Sequence, residues 1–264
     1  MKKTIKGLIM AFQFFTSIPI PYEVPMDRVH IEKAIKTFPI LGFLQGIFYA
    51  FVLFAISTWT PLSPLAAAFF VWLSMILLTG GLHLDGWMDA SDAYFSYRDQ
   101  ERRLEIMKDS RVGAFGVLSV VVLLSAKFLF IYEIAERLYD TSYMLIAFIP
   151  FLSKSVMGVL LIHVKAAKEE GLGTLFKNAA SKYTLWNYPI YIILLFVLLA
   201  AIWPGALGGA FLLLMAATLF IVISSKKAVK WFGGITGDVL GASVEGVELV
   251  LWMILWLWHY SVTV

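Results

Sequence analysis

An all-α, polytopic membrane bundle is the fold class that this sequence predicts, and three observations predict it. Apolar runs reach membrane-spanning length, charge is scarce, and Lys and Arg are sorted into alternate loops. The 264 residues are 60% hydrophobic and only 15% charged, where a soluble domain carries about a quarter charged residues. So many apolar side chains exceed what a water-soluble core of this size can hide, which places the chain in a lipid bilayer.

Seven runs are long enough to cross about 30 Å at about 1.5 Å per residue. They fall near 38–58, 64–84, 113–134, 142–164, 185–203, 205–225 and 244–262. Basic residues fix their orientation. Lys2, Lys3, Lys6, Arg28, Lys33 and Lys36 precede the first run; Arg98, Arg102, Arg103, Lys108 and Arg111 follow the second. Lys165, Lys168, Lys177 and Lys182 follow the fourth, and Lys226, Lys227 and Lys230 the sixth. That gathers 18 of the 21 Lys and Arg on one side, the cytoplasmic side by the positive-inside rule. Residues 7–22 are bracketed by basic residues and interrupted by Pro19 and Pro21, which predicts an interfacial or re-entrant segment rather than a crossing. The N-terminus lacks a small-residue cleavage site and is expected to be retained. No repeat or soluble module interrupts 1–264, so one membrane-embedded catalytic domain is expected. Cysteine is absent, which removes disulfides and thiolate chemistry. The net charge of +3 is modest, and no nucleic-acid partner is expected.

The unusual polar residues all fall in the basic loops. Asp85, Asp89 and Asp92 lie in HLDGWMDASDAYF. Helical steps of four and three turn the later two by about 40° and about −20° from the first, so one stripe carries three carboxylates. Like charges this close suit a hard divalent cation. His83 points about 160° away from Asp85 and by spacing alone reads as a hydrogen-bonded residue at a span end. The segment LEIMKDSRVGAFG brings Lys108, Asp109 and Arg111 together with two glycines. In GGITGDVLGASVEGVEL, glycines that include Gly237 surround Asp238, and Glu245 and Glu248 open the last span. Backbone N–H groups at such glycines approach an anion closely. Lys127 and Lys154 lie inside spans, where an unpaired charge costs on the order of 3 kcal/mol or more. Each needs an acidic partner such as Glu133, Glu245 or Glu248, or a polar cavity. Two roles are open to them: an ion pair that fixes packing, or a cationic wall for a phosphate.

TFPILGFLQG (37–46), TGGLHLDGWMDASDA (79–93), LEIMKDSRVGAFG (104–116), KEEGLG (168–173) and GGITGDVLGASVEGVEL (233–249) together resemble the successive signature blocks of the cobalamin synthase family. The resemblance covers nearly the whole chain. It implies a magnesium-dependent adenosylcobinamide-GDP ribazoletransferase, a membrane enzyme of vitamin B12 nucleotide-loop assembly. A hydroxyl of α-ribazole, or of its 5'-phosphate, would attack the cobinamide-side phosphorus of adenosylcobinamide-GDP and release GMP. The resemblance further implies a bacterial inner-membrane location with the site on the cytoplasmic face, and it leaves a homo-oligomer open. By motif position Asp85, Asp89 and Asp92 would hold Mg²⁺, with Asp92 or Asp89 free to take a proton. Asp109 and Arg111 would join them in catalysis. His83, Gly86, Lys108, Gly237, Asp238, Glu245 and Glu248 would contact substrate, and Lys154, a span residue outside these blocks, is expected to balance phosphate charge beside them. One departure stands out: the family commonly has Asp-Gly where this chain has Asp92-Ala93. Two other classes compete, a CDP-alcohol phosphotransferase, whose Ala-Arg pair and longer glycine-spaced run are missing here, and a transporter, which would spread its charges across both faces.

Overall fold

The computed structural model describes residues 2–262. Among them the chain is helical with no named strand: α1 (Lys2–Phe15), α2 (Arg28–Trp59), α3 (Pro64–Thr79), α4 (Leu82–Phe95), α5 (Gln100–Ile106), α6 (Ala114–Ala135), α7 (Asp140–His163), α8 (Leu172–Ala179), α9 (Asn187–Ile202), α10 (Leu207–Phe232) and α11 (Gly237–Val262). Six helical stretches are long and apolar enough to cross a bilayer, and α3 with α4 makes a seventh that is bent by 85°.

The seven expected runs all appear, with one correction. Hydropathy joins 64–84 into one span, whereas the helix stops at Thr79 and restarts at Leu82. Gly80 and Gly81 sit at φ 61° and 74°, a left-handed pair that only glycine adopts at low cost. The sixteen residues of α3 reach about 24 Å, short of the hydrocarbon thickness. At the break the chain bends by 85°, and α4 runs on across the bundle instead of along it.

The most buried helix is α7, and α2 lies along it. Gly42 and Gly46, one turn apart on α2, face the Pro150 and Ala147 carbonyls so closely that any Cβ would overlap them. Small residues at this spacing let two backbones approach where lipid supplies no hydrophobic drive. Gly42 also leaves room for the Lys154 side chain, whose Cγ a Cβ there would approach to 2.9 Å.

The amphipathic α1 runs beside the first half of α2. Gly7 meets Lys33 and Ala34, and Phe15 sits edge-on to Phe38 at 5.1 Å. Beyond it, the Ser17 N–H donates to the Leu78 carbonyl at 2.8 Å, and its hydroxyl to Leu77 at 2.5 Å, at the C-terminus of α3. Residues 16–27 then lead back to the start of α2. Fourteen residues reach about 21 Å, so α1 enters the bundle without traversing it.

The basic loops meet at one end of the molecule. Gln100 donates to the Val229 and Lys230 carbonyls, and Arg103 to Trp231, which closes the C-terminus of α10. Ile235 donates to Lys165 at 2.8 Å, and Ala167 donates to Ile235 at 3.0 Å. The Lys177 ammonium donates to the Leu161, Ile162 and Val164 carbonyls, placing a cation at the negative end of α7. Ser181 joins this end to Glu32 of α2 at 2.7 Å. Gly46→Val is expected to lower stability by about 1–3 kcal/mol through overpacking. Thermal unfolding in detergent measures this, with Gly237→Ala, where a Cβ meets open space, as the nearly neutral control.

Candidate active site

The turn at Gly80–Gly81 lays α4 across the first turn of α11. Gly86 makes this possible, because a Cβ there would stand 2.8 Å from the Asp238 carbonyl oxygen. Asp85 and Asp238 thus come from opposite ends of the sequence to border one cavity of about 220 Å³. His83, Gly86 and Gly237 also line it, together with the apolar Phe15, Phe38, Leu161 and Phe176. Gly237 opens α11, so helix-terminal N–H groups lie at the rim of the cavity.

Below this cavity lies a buried set of charges. Lys127 Nζ donates to Glu245 at 2.6 Å and to Glu248 at 3.0 Å. Glu248 also accepts from the Ser153 hydroxyl at 2.9 Å. Glu133, an alternative partner by sequence, instead accepts from Tyr260. Glu245 and Glu248, expected at the substrate, are placed by the structure in an interior ion-pair network. The reason is helical geometry: both face α6 and α7 one turn or more below Asp238, and the Lys127 charge requires them there. Lys154, wholly buried, has no carboxylate within ion-pair reach among the described residues. Its Nζ lies 2.6 Å from His83 Nε2. An ammonium has donors only, so Nε2 accepts and the ring proton sits on Nδ1. Phe15 stacks on the His83 ring at 5.8 Å, and the His83 side chain reaches the cavity wall. His83 and Lys154 therefore form one hydrogen-bonded unit, with His83 at the cavity wall and Lys154 behind it.

The expected carboxylate stripe divides. Asp85 borders the cavity and Asp89 follows one turn later on α4. Asp92 turns to α6, where its two oxygens accept from the Gly113 N–H at 2.7 Å and the Gly116 N–H at 2.8 Å. It caps that helix in the manner of an N-terminal acidic residue, and a Cβ at either glycine would strike its carboxylate. Ala93 is fully buried in the core, so the missing glycine has become packing. Asp109 and Arg111 pair with each other in the exposed loop after α5, at 2.6 Å. Hydrogen bonding to Arg111 holds the Asp109 carboxyl down at about 2. Neither borders the cavity, and Lys108 is exposed beside them, so the structure places all three, expected at the reaction and the substrate, in the loop after α5 and outside the cavity lining. Sequence reasoning passed over Lys168. Its proton affinity is lowered by burial, raised by Asp238 and lowered by Lys108, so it stands within electrostatic reach of the site.

Oxygen donors of the right kind for a hard cation are present. Asp85 and Asp89 lie one turn apart on α4, and Asp85 shares the cavity with Asp238, so carboxylates crowd together here. Mg²⁺ keeps several waters and takes only one or two protein carboxylates beside substrate phosphate. Asp85 and Asp238, at one cavity, are placed to meet that need. Among the described residues no three His, Asp or Glu side chains converge as ligands; of the expected Asp85–Asp89–Asp92 set, Asp85 borders the cavity, Asp89 follows on the same helix and Asp92 is taken up by α6.

The sequence pattern of the cobalamin-5-phosphate synthase family matches residues 7–256. A Geobacillus sp. (strain WCH70) protein named adenosylcobinamide-GDP ribazoletransferase is 43% identical over 259 residues, covering 97% of each chain. The Geobacillus kaustophilus protein of that name is 41% identical, covering 99% of each. Its Escherichia coli namesake is 36% identical, covering 90% of this chain and 94% of its own. No solved structure matches the chain.

Two substitutions separate support from chemistry. Lys127→Met leaves two buried carboxylates without their cation and is expected to cost about 3–5 kcal/mol, with recovery when Glu245→Gln and Glu248→Gln are added; thermal unfolding reads both. Asp92→Asn replaces one accepting oxygen by a donor facing an N–H, and an unfolding midpoint lowered by the equivalent of about 1–2 kcal/mol is expected.

Proposed function

The chain belongs to the cobalamin-5-phosphate synthase family, and on that premise we propose that it joins adenosylcobinamide-GDP to α-ribazole or α-ribazole 5'-phosphate on the cytoplasmic side of the bacterial inner membrane. A hydroxyl oxygen of the acceptor forms a bond to the cobinamide-side phosphorus. The bond from that phosphorus to the bridging oxygen breaks, GMP departs, and adenosylcobalamin or its 5'-phosphate remains. The observation that carries this reading is the meeting of Asp85 and Asp238 at one recessed cavity, at the end of the bundle where the basic loops gather.

Asp85 and Asp238 would hold Mg²⁺, which when bound would neutralise diphosphate charge and favour departure of GMP. Asp92 is occupied in capping α6, which leaves Asp89 to accept the proton of the attacking hydroxyl. The N-terminal N–H groups of α11 and the Lys168 ammonium favour phosphate at the mouth of the cavity. Lys154 fixes the His83 imidazole with Nδ1 as a donor, and Phe15 holds its plane. Holding these groups in a cavity with a largely apolar lining would limit water as a competing acceptor.

Purified protein in detergent, mixed with adenosylcobinamide-GDP and each acceptor, is expected to release GMP only with Mg²⁺ present. Asp85→Asn and Asp238→Asn should each lower turnover on the order of 10²-fold or more while leaving the unfolding midpoint in place. Full activity of either variant at limiting Mg²⁺, or release of GMP in excess chelator, would remove the assignment.

A further inference from the structure

The cavity beside Asp85 and Asp238 has a chemistry of its own that the transfer reaction does not by itself require. Its wall is built from aromatic rings of three helices outside the acidic motif. Phe176 of α8 meets Phe14 edge-on at 5.3 Å and lies nearly parallel to Phe38 at 6.3 Å, and Phe15 closes against Phe38 and the His83 ring. Polar groups in the lining are few: His83, Asp85, Asp238 and the backbone at Gly237. Such a slot selects a flat, apolar ring system with a polar attachment pointing back to the carboxylates.

Resting on the activity proposed above, we infer that this aromatic cavity is the seat of the acceptor's base, the dimethylated benzimidazole of α-ribazole. Size and polarity separate it from the other two parts of the substrates. Drug-sized ligands need pockets of about 300–1,000 Å³, so a cavity of about 220 Å³ admits two fused rings and excludes a corrin macrocycle. Guanine is small enough, but with its ribose and phosphate turned toward Asp85 and Asp238, as the transfer requires, its amide and exocyclic amine on the far edge would face phenylalanine rings and lose their hydrogen bonds to water. Dimethylbenzimidazole carries two methyl groups and, once joined to ribose, a single free ring nitrogen. One donor satisfies that nitrogen. His83 is buried to within 3% of its surface, borders the cavity, and among the described residues its Nδ1 has no hydrogen-bond partner, its Nε2 being taken by Lys154. With the base against Phe38 and Phe176, the ribose lies toward Asp85 and Asp238, where its hydroxyl is needed. The corrin and the guanosine then stay outside, at the open end of the bundle.

Steady-state kinetics with both substrates varied tests this in the whole protein. Phe176→Trp fills the cavity and is expected to raise KM for α-ribazole about tenfold or more, with KM for adenosylcobinamide-GDP changed by less than about twofold. A rise confined to adenosylcobinamide-GDP, or no change in either constant, overturns the inference. Phe176→Ala enlarges the same slot and should accept a naphthimidazole riboside that the parent protein rejects; rejection by both is a contrary result even if the tryptophan variant folds poorly. Equilibrium dialysis without donor reads the cavity independently of turnover. The parent should retain α-ribazole, Phe176→Trp should lose it, and neither should retain guanosine. Guanosine retained by the parent and lost in Phe176→Trp assigns the slot to the nucleotide and refutes the proposal. Retention of α-ribazole without GMP release would leave the base site standing while refuting the transfer reaction.

Discussion

Contact between the Gly86 and Asp238 backbones is the constraint on which the site depends. α4 and α11 are separated by more than a hundred residues, and each carries an acidic residue at its beginning. Only a side chain of hydrogen lets the two helices come close enough for Asp85 and Asp238 to share a cavity. The left-handed turn at Gly80–Gly81 serves the same end, because a straight continuation of α3 would carry Asp85 outward along the membrane normal and away from α11. Three glycines thus convert a hydropathy run into a platform for carboxylates.

Beneath this platform, charge balance is maintained within the bundle. Two lysines and two glutamates are buried, and Lys127 takes both carboxylates while Lys154 is left to His83. An unpaired ion at this depth is costly, so the arrangement fixes how α6, α7 and α11 sit around one another. It also joins structure to chemistry: the buried Lys154, without a carboxylate partner among the described residues, orients His83 at the cavity. Asp92 plays a comparable part above, tying α4 to the start of α6 through Gly113 and Gly116. The acidic motif therefore contains residues of two kinds, some facing substrate and some holding the helix that presents them.

Much of this was legible in the sequence. Span positions follow from apolar length, and the gathering of the polar motifs at one end follows from the sorting of Lys and Arg. Partners for Lys127 could be named because a buried cation demands them. The rest was hidden for physical reasons. Hydropathy does not register a left-handed glycine pair, so the break in 64–84 was invisible. Helical periodicity places Asp92 with Asp85 and Asp89, but the N–H groups that claim it belong to another helix and carry no mark in its own segment. The Asp109–Arg111 pair lies in a motif block yet satisfies itself in solvent. Phe15, Phe38 and Phe176 are three of 21 phenylalanines, and in so apolar a chain nothing local distinguishes a cavity wall from a lipid-facing surface.

The central claim is that Asp85 and Asp238 grip one divalent cation from two helices. Replacing Mg²⁺ by Fe²⁺ and adding ascorbate and peroxide generates hydroxyl radicals at the metal, and mass spectrometry of the fragments locates the backbone cuts. The account predicts cuts beside both Asp85 and Asp238, suppressed together by excess Mg²⁺ and lost together in Asp85→Asn. Cleavage near only one of them, or cuts near Asp109 in the exposed loop instead, would contradict it.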